Sequence, residues 1–271
     1  MLHAFKPIAA GAALTLLALL PAQAHEFWIA PQRWEVAPGS PIKADLMVGQ
    51  MLRGEPYPYL SNRFTRFAVT ADGETTTVAG SEGDMPALST IAARPGLNIV
   101  AHQTVAFRVT YDDWAVFRKY LADEGLDGFA ARHRARGLPE TGFAERYTRY
   151  AKALVQSGPA RPEDRDTPLG LAFELVAGAN PYCPGLDRLP VTLLLHGEPV
   201  AGHQITVFKD DNGAVTRSTL RTDQAGTAAI PLAPGGVYLV NAVRLEPAGS
   251  LPVAWQSQWA SMTFRTAPSG N

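Results

Sequence analysis

The spacing of apolar residues changes twice along this chain. From residue 25 to about 110 it follows the two-residue period of strands. Phe27 and Ile29 precede Pro31, and Trp34 and Val36 follow it. Ile42, Ala44, Leu46 and Val48 alternate with more polar neighbours. Phe64, Phe67 and Val69, then Ile99 to Ala101 and Val105 to Val109, read as further strands. Pro38-Gly39, Asp72-Gly73 and Pro95-Gly96 supply turns. Residues 50–62, with Pro56 and Pro58, lack a period and read as an irregular loop. At Asp112 and Asp113, either of which can cap a helix, the period becomes helical. Trp114, Phe117 and Leu121 lead to a C-terminal cap at Gly125. A second short helix is predicted over Gly128–Arg136. A third is predicted after Thr141, with Phe143, Tyr147, Tyr150/Ala151 and Leu154 on its core-facing side. Glu145, Arg146, Arg149 and Lys152 would form its solvated face, joined by surface ion pairs.

The strand pattern returns at Gly170. Leu171, Phe173 and Leu175 alternate, Val191 to Leu195 is a compact apolar run, and Ile205 and Val207 lead into Asp211-Asn212-Gly213, a hairpin turn signal. Thr222 to Gly226 makes another turn, and Ile230 to Leu232, Val237 to Val243 and Trp255 to Phe264 complete the set. The expected fold is mainly β: two immunoglobulin-like or transthyretin-like β-sandwich domains with a short helical insertion. The boundaries read 25–111 for the first sandwich, 112–156 for the insertion, 157–168 for a polar, proline-rich linker, 169–267 for the second sandwich, and 268–271 for a tail.

Residues 1–24 read as a secretory signal peptide. Lys6 is followed by an uncharged apolar run, Ile8 to Leu20, of about 13 residues, short of the roughly 20 that span a bilayer. Pro21 ends it, and Ala22-Gln23-Ala24 sets a cleavage site between Ala24 and His25. The expected location is a bacterial periplasm, with no membrane span in the mature chain. A net charge of −1 argues against nucleic acid as a partner. Cys183 is the single cysteine, so neither an intrachain disulfide nor a thiolate zinc site can form.

Several stretches carry a family resemblance. They are His25-Glu26-Phe27-Trp28, Lys119 to Leu126, Glu145 to Leu154, Phe173-Glu174-Leu175 with Asn180-Pro181-Tyr182, Pro199 to Gly202, Thr222-Asp223-x-x-Gly226, and Trp259 to Phe264. Together they resemble the domain of unknown function 4198 family, also labelled a NikM-like, nickel-uptake-related periplasmic family. The resemblance implies a soluble accessory protein handling nickel or cobalt, with a metal transporter or another envelope protein as partner. Gly197 to Gly202, Thr222 to Gly226 and Gly236-Val237-Tyr238 also resemble carboxypeptidase-regulatory-like modules, which are structural.

His25 is the sharpest candidate for chemistry. Cleavage before it would place an α-amine and an imidazole on one residue, a chelating unit for nickel, cobalt or copper. Against this stands a terminal histidine that only packs beside Trp28. His102, on a strand of the same domain, is the candidate second ligand. The alternative for it is an ordinary strand residue. His196 and His203 bracket a turn and form a weaker pair, and His133 among Arg132, Arg134 and Arg136 is a poor ligand for a cation. Gly-x-Ser-x-Gly, Walker, dinucleotide and His-Glu-x-x-His motifs are absent, so an enzyme is not expected. Three readings follow. The first is a metal-binding accessory protein built on His25. The second is a structural or interaction module of the envelope. The third is a copper oxygenase with an N-terminal histidine brace, the least favoured.

Overall fold

The computed structural model describes residues 26–249 and 253–268. The expected leader, its cleavage site at Ala24/His25 and the last residues of the tail lie outside them. The fold is mainly β, as the alternating pattern predicts. In chain order the elements are β1 (Glu26–Pro31), β2 (Glu35–Val36), β3 (Pro41–Gln50), β4 (Arg53–Tyr57), β5 (Phe64–Ala71), β6 (Glu74–Thr77), β7 (Leu88–Ala92), β8 (Gly96–Thr104), β9 (Phe107–Tyr111), α1 (Trp114–Asp123) and α2 (Phe129–Ala135). Then come β10 (Phe143–Ser157), β11 (Phe173–Ala177), β12 (Arg188–Leu195), β13 (Glu198–Pro199), β14 (Gln204–Asp211), β15 (Ala214–Arg221), β16 (Thr227–Pro231), β17 (Val237–Pro247) and β18 (Val253–Arg265).

The two expected sandwiches share their inner sheet. A ten-stranded sheet runs β15-β14-β17-β18-β10-β8-β5-β6, with β2 and β9 also on β10. One outer sheet holds β1, β3, β4 and β7, and the other holds β11, β12, β13 and β16. The alternation of β10 shows why both outer sheets are needed. Ala151, Ala153 and Val155 pack against Phe27, Ile29 and Leu46 of the first outer sheet. Tyr150 and Leu154, on the opposite face, pack against Phe173, Leu175 and Val191 of the second. Burying each of Phe67, Phe173 and Phe264 contributes about 2–3 kcal/mol relative to leaving it in water.

Three local readings need correction. Residues 143–154 are not a helix but the greater part of β10, which pairs with β18 in parallel and with β8 and β9 antiparallel. Helical spacing of Phe143, Tyr147 and Leu154 misleads because a central strand is buried on both faces and has no clean period. Part of the face expected in solvent is therefore inside: Glu145 and Lys152 are each 1 % exposed, whereas Arg146 is exposed. Residues 50–62 are not irregular throughout. Positive φ at Met51 and Leu52 closes a hairpin between β3 and β4, and Ser61–Arg63 forms one 3-10 turn. The segment expected as a linker, 157–168, carries a deeply placed anchor, since the Asp166 carboxylate accepts bonds from Lys152 Nζ at 2.7 and 2.9 Å.

The two helices form where expected. The Asp113 carboxylate accepts from Ala115 N at 2.7 Å, capping α1. Gly125, at φ +64, ends it. Phe117, Tyr120 and Leu121 are the buried face of α1, and the Tyr120 ring stacks on Trp259 with centroids 5.6 Å apart. The Asp211-Asn212-Gly213 signal is the turn of the β14–β15 hairpin, with positive φ at Asn212 and Gly213.

Candidate functional site

A cavity of about 430 Å³ opens between the first outer sheet and the central sheet. Its residues come from strands far apart in sequence: Phe27 of β1, Leu46 and Val48 of β3, Tyr57 of β4, Phe64 of β5, His102 and Thr104 of β8, Phe107, Val109 and Tyr111 of β9, Glu145, Tyr147 and Arg149 of β10, and Trp259 of β18. The walls are chiefly aromatic and aliphatic, and the polar groups gather on β8 and β10. Tyr57, 40 % exposed, is the one lining ring that reaches well into solvent.

Glu145 anchors the polar end. One carboxylate oxygen accepts from Tyr111 Oη at 3.1 Å and the other from Ser257 Oγ. Trp259 Nε1 in turn donates to Ser257 Oγ at 2.9 Å. Burial pushes the Glu145 carboxyl up to about 7, against the opposing pull of the bonds from Ser257 and Tyr111. Burial and the nearby Glu145 charge hold the Tyr111 phenol well above its ordinary value, so it remains a donor. The Arg149 guanidinium lies 4.9 Å from the Tyr147 ring centroid and 5.7 Å from that of Phe27. Arg63 covers Phe107 at 5.5 Å.

His102 sits on β8 as expected, yet it is enclosed by rings. Phe67, Phe64 and Phe27 lie 5.0, 5.2 and 5.3 Å from it, centroid to centroid. Burial lowers its pKa to about 3, so the imidazole is neutral. Its Nδ1 is buried with no hydrogen-bond partner. Its intended companion, His25, lies outside the described residues.

Glu26, which begins β1, is 8 % exposed, and its Oε2 is buried without a hydrogen-bond partner. Burial raises its pKa to about 7. Glu124, at the C-terminal cap of α1, is raised to about 8 by burial and by the charge of Glu26. Sequence reasoning named neither Glu26 nor Glu124 as a candidate ligand.

His133 and His203 serve packing. His133 is fully buried: Nδ1 accepts from Trp255 Nε1 at 3.0 Å, and Nε2 donates to the Pro139 carbonyl at 2.8 Å. The neighbouring arginines extend over rings, Arg134 over Trp114 and Arg136 over Trp255. His203 Nε2 donates to the Val243 carbonyl at 3.0 Å, whereas His196 is exposed in the turn between β12 and β13. Among the described residues, no group of three or more His, Cys, Asp or Glu side chains is arranged to hold a metal ion.

Sequence reasoning missed most of the cavity. Tyr147 was expected as core packing and instead lines the cavity, as do Glu145 and Arg149. The usable signal was the density of aromatic residues across β1, β5, β9 and β10. No described helix is long and apolar enough to cross a membrane. No curated protein matches the chain. The family profile described as a domain of unknown function, DUF4198, matches residues 22–246. Most of the sequence falls within that match, and the chain therefore belongs to the domain of unknown function 4198 family.

Proposed function

We propose that this chain is a secreted, non-enzymatic binding protein of the bacterial envelope, and that it carries a small, largely apolar molecule in the cavity between the outer and central sheets. The observation that carries this reading is the cavity itself. Its volume of about 430 Å³ falls within the ~300–1,000 Å³ of small-molecule sites, and its make-up of apolar walls with a few convergent polar groups is theirs too. The engagement of both Glu145 oxygens by Tyr111 and Ser257 supports a holding role over proton transfer to a substrate. N-phenyl-1-naphthylamine, a neutral probe whose fluorescence rises in apolar sites, tests the reading. Saturable binding at one site is expected, with loss of binding in Val48→Trp, which fills the space without cutting a hydrogen bond. Absence of saturable binding to the folded parent would overturn it.

One observation favours a second reading, the accessory role in nickel or cobalt handling that the family resemblance implies. The charge of Glu26 disfavours that of Glu124, and one Glu26 oxygen is buried without a partner. A cation beside them would relieve both conditions. His102 fits this role poorly, because it is enclosed by three phenylalanine rings. The donor set would be Glu26 and Glu124 with the freed amine and imidazole of His25, and a metal transporter would be the receiving partner. Calorimetric titration of nickel chloride into protein beginning at His25, and into protein with one extra residue before it, separates the cases. Equal affinities, or none, would dismiss the chelating amine.

A further inference from the structure

Building on the cavity reading, we infer that the cargo is a neutral alcohol or phenol, whose apolar body lies against Leu46, Val48 and Phe64 and whose hydroxyl bonds to the imidazole of His102. His102 lines the cavity from β8 and is 3 % exposed. Its Nδ1 is buried with no hydrogen-bond partner. Burying an unanswered polar group costs stability. A fourth phenylalanine would sit among Phe27, Phe64 and Phe67 without that cost, so packing does not account for a histidine here. A water answers the imidazole poorly, because a buried water needs about 2–4 polar partners and the three rings supply none. A hydroxyl carried on an apolar body needs only the one bond, since the walls hold the body.

The rest of the lining favours a neutral cargo. Arg149 is held under the charges of Glu26 and Glu145, and its backbone N–H donates to Thr104 Oγ1 at 3.0 Å. Both Glu145 oxygens accept bonds, one from Tyr111 and one from Ser257. Arg63 is exposed and stands over the Phe107 ring. A charged head would compete for groups already engaged, whereas a hydroxyl at His102 disturbs none of them. Burial keeps the imidazole neutral, with one donor and one acceptor nitrogen. A hydroxyl both donates and accepts, so it suits Nδ1 in either tautomer, whereas a carbonyl suits only one.

A matched pair of competitors tests this. 2-Naphthol and 2-methylnaphthalene have nearly the same shape and differ by a hydroxyl in place of a methyl group. Each is used to displace N-phenyl-1-naphthylamine from the chain beginning at His25, at pH 7, where the naphthol is neutral. Circular dichroism confirms the fold of every variant. His102→Leu should lower the affinity for 2-naphthol relative to that for 2-methylnaphthalene by about ten-fold, the scale of one buried hydrogen bond. His102→Gln, whose amide donates and accepts, should restore part of the loss. His196→Leu, in the exposed turn between β12 and β13, should leave the ratio at the parent's value. If His102→Leu does not fold, nuclear magnetic resonance of the parent, labelled at its histidine ring nitrogens, decides. There 2-naphthol should shift the nitrogen resonances of one neutral imidazole, and 2-methylnaphthalene should not. An unchanged ratio in His102→Leu, equal shifts with both compounds, or displacement by 2-methylnaphthalene alone overturns the hydroxyl and leaves the cavity reading standing. If neither compound nor N-phenyl-1-naphthylamine binds, both readings fall.

Discussion

Lys152 offers the most stringent test of how this fold is held together. Its ammonium is 1 % exposed between the central sheet and the second outer sheet. It donates to Asp166 at 2.7 and 2.9 Å and to Glu174 at 3.1 Å. Asp166 also accepts from Ala177 N at 2.9 Å, and Glu174 accepts from Leu169 N at 2.8 Å and Leu171 N at 3.1 Å. One cation thus joins β10, the segment before β11, and β11 itself. Lys152→Met keeps the length and apolar stem of the side chain and removes only the charge, leaving two carboxylates facing each other. Removing one partner of such a buried pair costs about 3–5 kcal/mol. For a chain of this size that lowers the melting temperature by about 10 °C. The loss should be larger at pH 8 than at pH 5, because burial already raises the Asp166 carboxyl above its ordinary value, and the lost cation raises it further. A group raised on folding stabilises fully below its unfolded pKa and loses that contribution as pH climbs through the folded value. Asp166→Asn, which reduces the excess negative charge and keeps an oxygen for Ala177 N, should cost only about 1 kcal/mol. Thermal unfolding followed by circular dichroism at both pH values reads all three proteins. A melting temperature for Lys152→Met within about 2 °C of the parent at both pH values would refute the reasoning, since that difference corresponds to less than about 1 kcal/mol.

Other outcomes follow from the same geometry. Glu26 and Glu145, each raised to about 7, and Glu124, raised to about 8, give stability that is complete below the ordinary carboxylate value of 4.5 and is lost as pH rises through 7 to 8. Moving one group's pKa by a single pH unit on folding corresponds to about 1.4 kcal/mol. His102, lowered to about 3, acts in the opposite sense: its contribution is complete above 6.5 and is lost as pH falls towards 3. The Asp166 carboxyl is raised as well and the His203 imidazole is lowered as well, both chiefly by burial. Four raised carboxyls outweigh two lowered imidazoles, so stability should peak between about pH 4 and 5 and fall by several kcal/mol towards pH 8; a flat denaturation profile over that window would contradict this. Trp255→Phe removes the donor to His133 Nδ1 inside a sealed cluster and should cost about 1–3 kcal/mol, measured by urea titration. Gly49→Ala would put a methyl carbon 2.0 Å from the Arg53 carbonyl oxygen, which is backbone and cannot swing aside. The β3–β4 hairpin bearing Tyr57 should open, and binding of N-phenyl-1-naphthylamine should weaken while the second outer sheet keeps its protection from hydrogen exchange.

Local pattern alone determined much of this molecule. Alternation of Ile42, Ala44 and Leu46 marked a half-buried strand, because side chains along a strand point to opposite faces in turn. Asp113 and Gly125 marked the two ends of α1, because one supplies an acceptor to free backbone N–H groups and the other tolerates a left-handed turn. Asn212-Gly213 marked a hairpin for the same conformational reason. The pattern failed at β10, where Phe143, Tyr147 and Leu154 imitate a helix. A strand covered on both faces has no polar side to reveal its period, and Lys152 can be buried there only because Asp166 and Glu174 arrive from later in the chain to neutralise it. The cavity was hidden for a related reason. Its wall joins Phe27 to Trp259, residues brought together by the parallel pairing of β10 with β18 and by β1 packing across them. No spacing within one segment encodes that meeting. Tertiary structure alone decided that Glu145, Tyr147 and Arg149 face a shared enclosed space and not water.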